Sequence, residues 1–451
     1  MLPGETIVAL ATPSGESAIG IVRLSGDACP SLAASVFQLP SPSPRVAHLA
    51  DYLDLHDEVL DQVLFIFYAQ GASYTGQPSL EIFCHGNPLL LRKVVDDLLA
   101  RGCRLAEPGE FTRLAFTSGN MELVQAEAVA TLIKARSEHA LKVASRHLSG
   151  ETGRCVNKLR DQILSVMAHI EAYVDFPQED LPPENLSEPI AQLQAIVTVM
   201  SSAAETGKYA HLLETGVRTL IAGVPNAGKS SLLNALCGKS RSIVSDQPGT
   251  TRDYVSERIH LGQFEIELID TAGLRNEATG IERIGMDKTL ELAERMDFFL
   301  LVLDATAPSP SLPPDFIKGL GSDNCILVEN KIDLTETKNH HDVLPDVPHA
   351  AVSALTGEGM DSLKSTWERI LEKTLPSPTS APLVVNARHS ERLCVAKDAL
   401  HNAIRLLNED KAVDLALSEI RLAIDAVGEI TGGVDNEDML DQLFQSFCIG
   451  K

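Results

Sequence analysis

The segment Gly223-Val224-Pro225-Asn226-Ala227-Gly228-Lys229-Ser230 has the composition and spacing of a phosphate-cradling turn. Its glycines let successive backbone N–H groups converge on phosphate oxygens with no Cβ in the way. Lys229 is spaced to reach the β- and γ-phosphates, and the Ser230 hydroxyl to ligate magnesium. Strand-like Thr219-Leu220-Ile221-Ala222 precedes the turn and helix-like Ser231-Leu232-Leu233-Asn234-Ala235-Leu236 follows it, which is the context such a loop needs. Downstream, Leu268-Ile269-Asp270-Thr271-Ala272-Gly273 reads as an apolar strand ending in an acid that holds magnesium through water, then a glycine whose amide meets the γ-phosphate. In Asn330-Lys331-Ile332-Asp333 a carboxylate is placed to accept the ring N–H and amine protons of guanine. Adenine has no ring proton to offer there and would leave a buried acceptor unpaired. Ser353-Ala354-Leu355, after the apolar Ala350-Ala351-Val352, completes the base pocket. Four motifs in this order imply a GTP-binding domain.

Between the phosphate loop and Asp270 runs Ser245-Asp246-Gln247-Pro248-Gly249-Thr250-Thr251-Arg252-Asp253, where Thr251 is the expected second magnesium ligand, closing on the metal when GTP is bound. Leu274 stands where many small GTPases carry a water-positioning glutamine, and leucine cannot orient water. Two readings stay open on the residues alone. Either the domain binds GTP and scarcely hydrolyses it, or Glu282 in the following switch segment orients the attacking water.

These motifs need a scaffold. The 451 residues suffice for two to four domains, with 62 acidic against 38 basic side chains and a formal net charge of −24. That balance opposes non-specific attraction to polyphosphate, so any nucleic-acid contact must come from a local basic patch. Eight scattered cysteines form no CxxC pair and read as reduced thiols of a cytosolic protein. The first residues lack a signal peptide's basic start and apolar core, and Phe298-Phe299-Leu300-Leu301-Val302-Leu303 is too short to span a bilayer. Residues 1–118 read as α+β, with strands at Thr6–Leu10, Gly20–Leu24 and Val63–Phe67; 119–215 as long helices; 216–375 as an alternating α/β domain of the Ras-like kind; and 376–451 as helical again. Leu159, Ile163, Val166, Ile170 and Val174 form one apolar stripe, and Leu393, Ala396, Leu400, Ile404 and Leu407 another. The two helical parts are expected to pack together, making the GTP-binding domain an insertion in one helical domain.

The run from Pro225 to Ser230, through Gly249-Thr250-Thr251-Arg252-Asp253, to Asp270-Thr271-Ala272-Gly273-Leu274-Arg275 resembles the tRNA-uridine modification GTPase family (MnmE, also called TrmE). So do Ala11-Thr12-Pro13, Gly20–Gly26, Ser73-Tyr74-Thr75-Gly76 with Glu81 and His85-Gly86, Gln125-Ala126-Glu127-Ala128, and the ending Phe447-Cys448-Ile449-Gly450-Lys451. The resemblance implies an N-terminal folate-binding and dimerisation domain, a helical domain and the GTPase domain. It implies that GTP is contacted by Asn226, Ala227, Gly228, Lys229, Ser230 and Ser231, by Ser245 through Thr251, by Asp270 through Gly273, and by Asn330, Lys331, Asp333, Ser353 and Ala354. Asn226 would ligate potassium, helped by backbone oxygens of Ser245, Gln247 and Thr250. Glu282 would be the catalytic glutamate, acting as the GTPase domains dimerise.

For the first domain the resemblance implies 5-formyltetrahydrofolate or a related one-carbon folate, with Arg23, Glu81 and Lys451 among its contacts. A third family position, usually basic, aligns with Asn120, so that contact loses its charge here. Cys448 is either an inert terminal thiol or a participant in one-carbon chemistry; the final Lys451 does not suit a prenylation box. The implied protein is a cytoplasmic homodimer with no membrane contact. With a flavin-containing (FAD) partner it builds an aminomethyl-type group on the 5-position of the wobble uridine of certain tRNAs. The rival reading is a GTP-switched ribosome-assembly factor, which shares the nucleotide motifs but has no use for the folate-type domain or the cysteine tail.

Overall fold

The computed structural model describes residues 5–135, 137–175, 186–207, 212, 216–238, 255–270, 296–309, 317, 319–334, 342–374, 383, 385–409, 413–433, 437–445 and 447–450. The chain divides into two compact units, one of residues 1–130, 147–158 and 427–451, the other of 131–146 and 159–426. The last helical stretch, from 427 onward, thus groups with the N-terminal sheet and not with 376–426, a partition that helical periodicity does not reveal.

In the first unit, strands β1 (Ile7–Leu10), β2 (Ile19–Ser25), β3 (Ala47–Leu53), β4 (Val59–Tyr68), β5 (Ser79–His85) and the short β6 (Arg104–Leu105) form one sheet in the order β3-β4-β5-β2-β1-β6. All pairings are antiparallel except β1 with β6. Alternation decides which side chain does what. Val22, Leu24, Leu80, Ile82 and Cys84 enter the core beneath α1 (Cys29–Phe37) and α2 (Pro88–Ala100), while Arg23 and Glu81, directly paired in register, stand on the opposite face. β3 escapes a reading by pattern because it is an edge strand with Leu49 and Asp51 both outward. Burial pushes the thiols of Cys29 and Cys84 up to about 12 and that of Cys103 up to about 11, so these are packing residues and not nucleophiles. On the Arg23 face, α3 (Glu110–Thr117) covers β1 with Phe111 against Ile7 and Ala9.

Helices α4 (Leu123–Lys134), α5 (Glu138–Leu148), α6 (Glu151–Asp175) and α7 (Ser187–Gly207) follow. In the second unit, β7 (Val217–Gly223), α8 (Lys229–Cys237), β8 (Val255–Leu261), β9 (Phe264–Asp270), β10 (Phe298–Asp304), β11 (Cys325–Asn330), β12 (His349–Val352) and α9 (Met360–Thr374) build a sheet ordered β12-β11-β10-β7-β9-β8. Five strands are parallel and β8 runs antiparallel on the edge. Parallel strands are buried on both faces, which is why β10 reads as an unbroken apolar run. α7 packs on α10 (Ala387–Asn408), which follows the sheet in sequence. Ser390 Oγ donates to Ala204 O at 2.7 Å, and the added Cβ of any other residue at Gly207 would fall 2.2 Å from Ser390 Cβ. Two further helices, α11 (Val413–Thr431) and α12 (Glu437–Gln445), complete the described chain.

The sole tryptophan, Trp367 on α9, is fully buried and stacks on Phe298 with ring centroids 5.5 Å apart. Phe298→Ala is expected to destabilise this sheet by about 3–5 kcal/mol. Trp367 fluorescence during urea denaturation of the full chain checks it, because the probe sits on the cavity that the substitution creates.

Candidate functional site

The phosphate loop leaves β7 at Gly223, where φ is +148° and an added Cβ would lie 2.1 Å from Val302 O. Only glycine meets both constraints. Asn226 holds φ +63°, a conformation that costs a non-glycine residue energy and is kept where surrounding contacts impose it. Lys229 is 8% exposed, and its ammonium donates to Gly223 O at 2.9 Å and Val224 O at 3.0 Å, which holds it over the turn. Ser230 Oγ donates to Asp270 Oδ2 at 2.9 Å, so the hydroxyl and the carboxylate that would serve magnesium converge from the start of α8 and the end of β9. Two hard oxygen donors at the mouth of a phosphate loop fit that ion. Ser231 is exposed on the first turn of α8.

The base end is organised by Asn330, 2% exposed at the end of β11. Its Nδ2 donates to Ala227 O at 3.0 Å and its Oδ1 accepts from Ala354 N at 3.0 Å, so one side chain ties the phosphate loop to the Ser353-Ala354-Leu355 segment. Gly228, φ +90°, has no room for a Cβ, which would lie 2.2 Å from Asn330 Nδ2. Lys331 donates to Asn226 O at 2.7 Å and to Asp304 Oδ2 at 2.6 Å. Burial alone would raise the Asp304 carboxyl, but the Lys331 ammonium and the donations from Thr306 outweigh it and hold it below the usual carboxylate range. Ser353 is fully buried; its N donates to Glu358 O at 2.9 Å and its Oγ accepts from Thr356 N, closing the loop. Asp333 stands exposed on a single 3₁₀ turn, Ile332–Leu334. The expected positions Ser245, Asp246, Gln247, Pro248, Gly249, Thr250, Thr251, Thr271, Ala272, Gly273 and Glu282, with Leu274 and Lys451, lie outside the described residues.

A second constellation lies on the N-terminal sheet. Arg23 pairs with Glu81 through Nε at 3.0 Å and Nη2 at 2.8 Å, and its guanidinium lies 5.9 Å from the Tyr74 ring centroid and 5.8 Å from that of Phe111. Tyr68 Oη donates to the other Glu81 oxygen at 3.1 Å. Burial raises the phenol of Tyr74, and burial followed by the Glu81 charge raises that of Tyr68. The C-terminal tail arrives at the same place. Arg23 Nη1 donates to Gly450 O at 3.3 Å, and Gly450, φ +92°, packs so closely that a Cβ would lie 2.6 Å from Leu10 O. Phe447 is buried with Phe444, Leu440 and Leu123, whereas Cys448 is exposed. Asn120 does not present its amide to this cluster as a basic residue would; Nδ2 donates to Ser73 O and Tyr74 O, both at 3.3 Å, and so fixes the loop that carries Tyr74. Tyr74 lies in the Ser73–Gly76 segment that carried the resemblance, but without an assigned role, and Tyr68 and Phe111 are members that the sequence did not point to; the spacing of Tyr68 and Glu81 on neighbouring strands carries no local signal.

The MnmE helical domain matches residues 123–448 and the GTP-binding protein TrmE N-terminus matches residues 6–120. The chain belongs to the MnmE/TrmE family. It is 43% identical over 448 residues to the tRNA modification GTPase MnmE of Opitutus terrae, covering 99% of both chains. It is 40% identical to that of Akkermansia muciniphila over all of this chain and 99% of the relative, and 37% identical to that of Thermotoga maritima over 99% of this chain and all of the relative. It is a GTPase involved in tRNA modification. Among the described residues no helix is long and apolar enough to cross a membrane.

Asp333→Asn should weaken GTP binding by about 2–4 kcal/mol, because an amide cannot accept both guanine protons and one donor is left facing another. Competition between GTP and xanthosine triphosphate is the readout, and the variant should shift its preference to the xanthine nucleotide.

Proposed function

We propose that this chain is a potassium-stimulated GTPase of a cytoplasmic homodimer. With an FAD-containing partner it installs an aminomethyl-type group at the 5-position of the tRNA wobble uridine, taking the carbon from a tetrahydrofolate held at Arg23 and Glu81. The observation that carries the reading is the convergence on Arg23: Glu81, two aromatic rings and the cysteine-bearing tail meet at one guanidinium. A flat, anionic heteroaromatic molecule suits such a cluster. Rings stack on aromatic faces, Glu81 can accept from an N–H edge, and the unused Arg23 protons can donate to a carboxylate. The folate would supply the one-carbon unit. Cys448, two residues from Gly450, is exposed beside the cluster and available as a nucleophile.

At the nucleotide, the phosphate-loop amides and Lys229 hold the phosphates, Ser230 and Thr251 serve magnesium with Asp270 behind them, and Asp333 reads guanine. Asn226, together with backbone oxygens of Ser245, Gln247 and Thr250, would hold a potassium ion that neutralises charge developing in transfer, the work of an arginine finger. Glu282 takes the place of the missing glutamine in orienting water. The pairing of α7 with α10 across the intervening sheet supports reading 216–375 as an insertion in one helical domain. Hydrolysis would drive domain movement, with the carbon chemistry confined to the first unit.

Turnover of GTP should be faster in potassium than in sodium at equal ionic strength, and equal rates would remove the ion from the mechanism. Cys448→Ser should abolish modified wobble uridine in tRNA from cells carrying only this variant, read by nucleoside analysis, while leaving GTP hydrolysis intact. Wild-type levels of the modified nucleoside would make Cys448 a terminal thiol only.

A further inference from the structure

Five non-glycine residues among those described hold a left-handed backbone: Gln38, Arg45, Asp57, Asn226 and Lys331. Two of them meet in the nucleotide site, with φ +63° at Asn226 and +69° at Lys331, and the Lys331 ammonium donates to Asn226 O at 2.7 Å. Asparagine tolerates that region and lysine gains nothing from it, so two such residues joined by one hydrogen bond are held there by their surroundings. The effect shows on Asn226. Its backbone oxygen is tied down, whereas its side chain is exposed and the carboxamide bonds to no other described residue. A neutral carboxamide oxygen at the mouth of a phosphate loop is a hard donor of the kind that suits an alkali cation, so the residue fits the potassium role proposed for it.

The restraint begins at Asp304, the last residue of β10, which pairs in register with Asn330 at the end of β11. Lys331 is therefore the first residue past that ladder. The Asp304 carboxylate is engaged on both oxygens. Oδ2 accepts from Lys331 Nζ at 2.6 Å, and Oδ1 accepts from Thr306 Oγ1 at 2.6 Å and from Thr306 N at 2.9 Å. Thr306, Asp304, Lys331 and Asn226 thus form a chain of contacts from the turn after β10 to the phosphate loop. It runs beside the Asn330 bridge: Asn330 holds Ala227 O while Lys331 holds Asn226 O, so two consecutive residues clamp two consecutive residues. Asp304 and Thr306 lie outside the motifs that mark phosphate and guanine recognition.

We propose that Asp304 is a positioning residue for the monovalent cation. By holding Lys331 on Asn226 O it fixes the backbone from which the Asn226 carboxamide is presented, and so sets the affinity and the size selectivity of the cation site. This rests on the reading of Asn226 as a potassium ligand. Selection among ions depends on the number of ligands and on how far they can give. An Asn226 pinned at its own oxygen gives little and favours one radius. An amide in place of the Asp304 carboxylate has one acceptor oxygen and one NH₂ group, so it can serve Lys331 or Thr306 but turns a donor on the other. Lys331 then loses its anchor, and Asn226 its restraint.

The test is equilibrium binding of a fluorescent, non-hydrolysable GTP analogue with magnesium to the full chain, with potassium raised against choline at constant ionic strength. The proteins are the wild type, Asp304→Asn and Thr306→Val. The wild type should bind the analogue more tightly as potassium rises, because two ligands that favour one another do so reciprocally. In Asp304→Asn the potassium concentration giving half of that effect should rise roughly five- to tenfold, with a smaller loss of affinity in choline alone. Sodium and rubidium should also come closer to potassium in effect. Thr306 is exposed, so Thr306→Val leaves the core of the sheet untouched; it should move the same quantities in the same direction by less, and it decides the matter if Asp304→Asn does not fold. A wild type indifferent to potassium removes Asn226 from cation binding and this role of Asp304 with it. A potassium-dependent wild type whose variants keep its half-effective concentration and ion preference overturns the role of Asp304 alone. So does an affinity loss equal in choline and potassium, which a merely structural part in the pocket would give.

Discussion

The nucleotide site depends on the buried carboxamide of Asn330. It is one of few side chains that can donate and accept in opposite directions, and it does so between the phosphate loop and the loop that closes the base pocket. Because the site is nearly dry at that point, losing either bond would strand a backbone polar group. Everything around it follows from making room for that amide. Gly228 must lack a Cβ, Asn226 must accept a left-handed backbone, and Lys331 must turn to hold Asn226 in it. Asp304 then fixes Lys331, at the cost of keeping a partly buried carboxylate charged. The loop is therefore held in shape by the protein's own side chains.

The Arg23 cluster is built on a different principle. Its central charges cancel each other through two contacts between Arg23 and Glu81, and aromatic rings cover the guanidinium. A self-neutralised pair under aromatic cover has small net charge and fixed directions for its remaining donors and acceptors. It is suited to a planar molecule recognised by its edges, where a bare cation would attract any anion. The tail completes the cluster by close packing: Gly109, φ +67°, lies against Phe444 and Phe447, and Gly450 lies against Leu10. Backbone contacts of this kind place the exposed thiol of Cys448 without using it.

How much was legible in the sequence depended on whether a feature is local. The phosphate loop, the guanine-reading segment and the parallel-sheet alternation are each written within a few residues, because a phosphate needs consecutive amides and a buried parallel strand needs consecutive apolar side chains. The apolar stripes likewise mark buried faces: Leu159, Ile163, Val166 and Ile170, and all five residues from Leu393 to Leu407, are in the core. Features made by distant residues left no mark in the spacing, and Arg23, Glu81 and the C-terminal tail were grouped only through the family resemblance. The Asn330 bridge spans 103 residues to Ala227, the Arg23–Glu81 pair spans 58, and the Arg23 contact with Gly450 spans 427. No spacing rule links such positions. The sequence by itself determined which chemistry the chain can carry and which nucleotide it reads, since those rest on residue types in short runs. Only the tertiary structure decided that Gly450 of the tail meets the Arg23 guanidinium, that Asn120 braces the Tyr74 loop where the family usually carries a basic residue, and that Tyr68 and Phe111 belong to the Arg23 cluster, because strand register and helix docking alone bring those groups together.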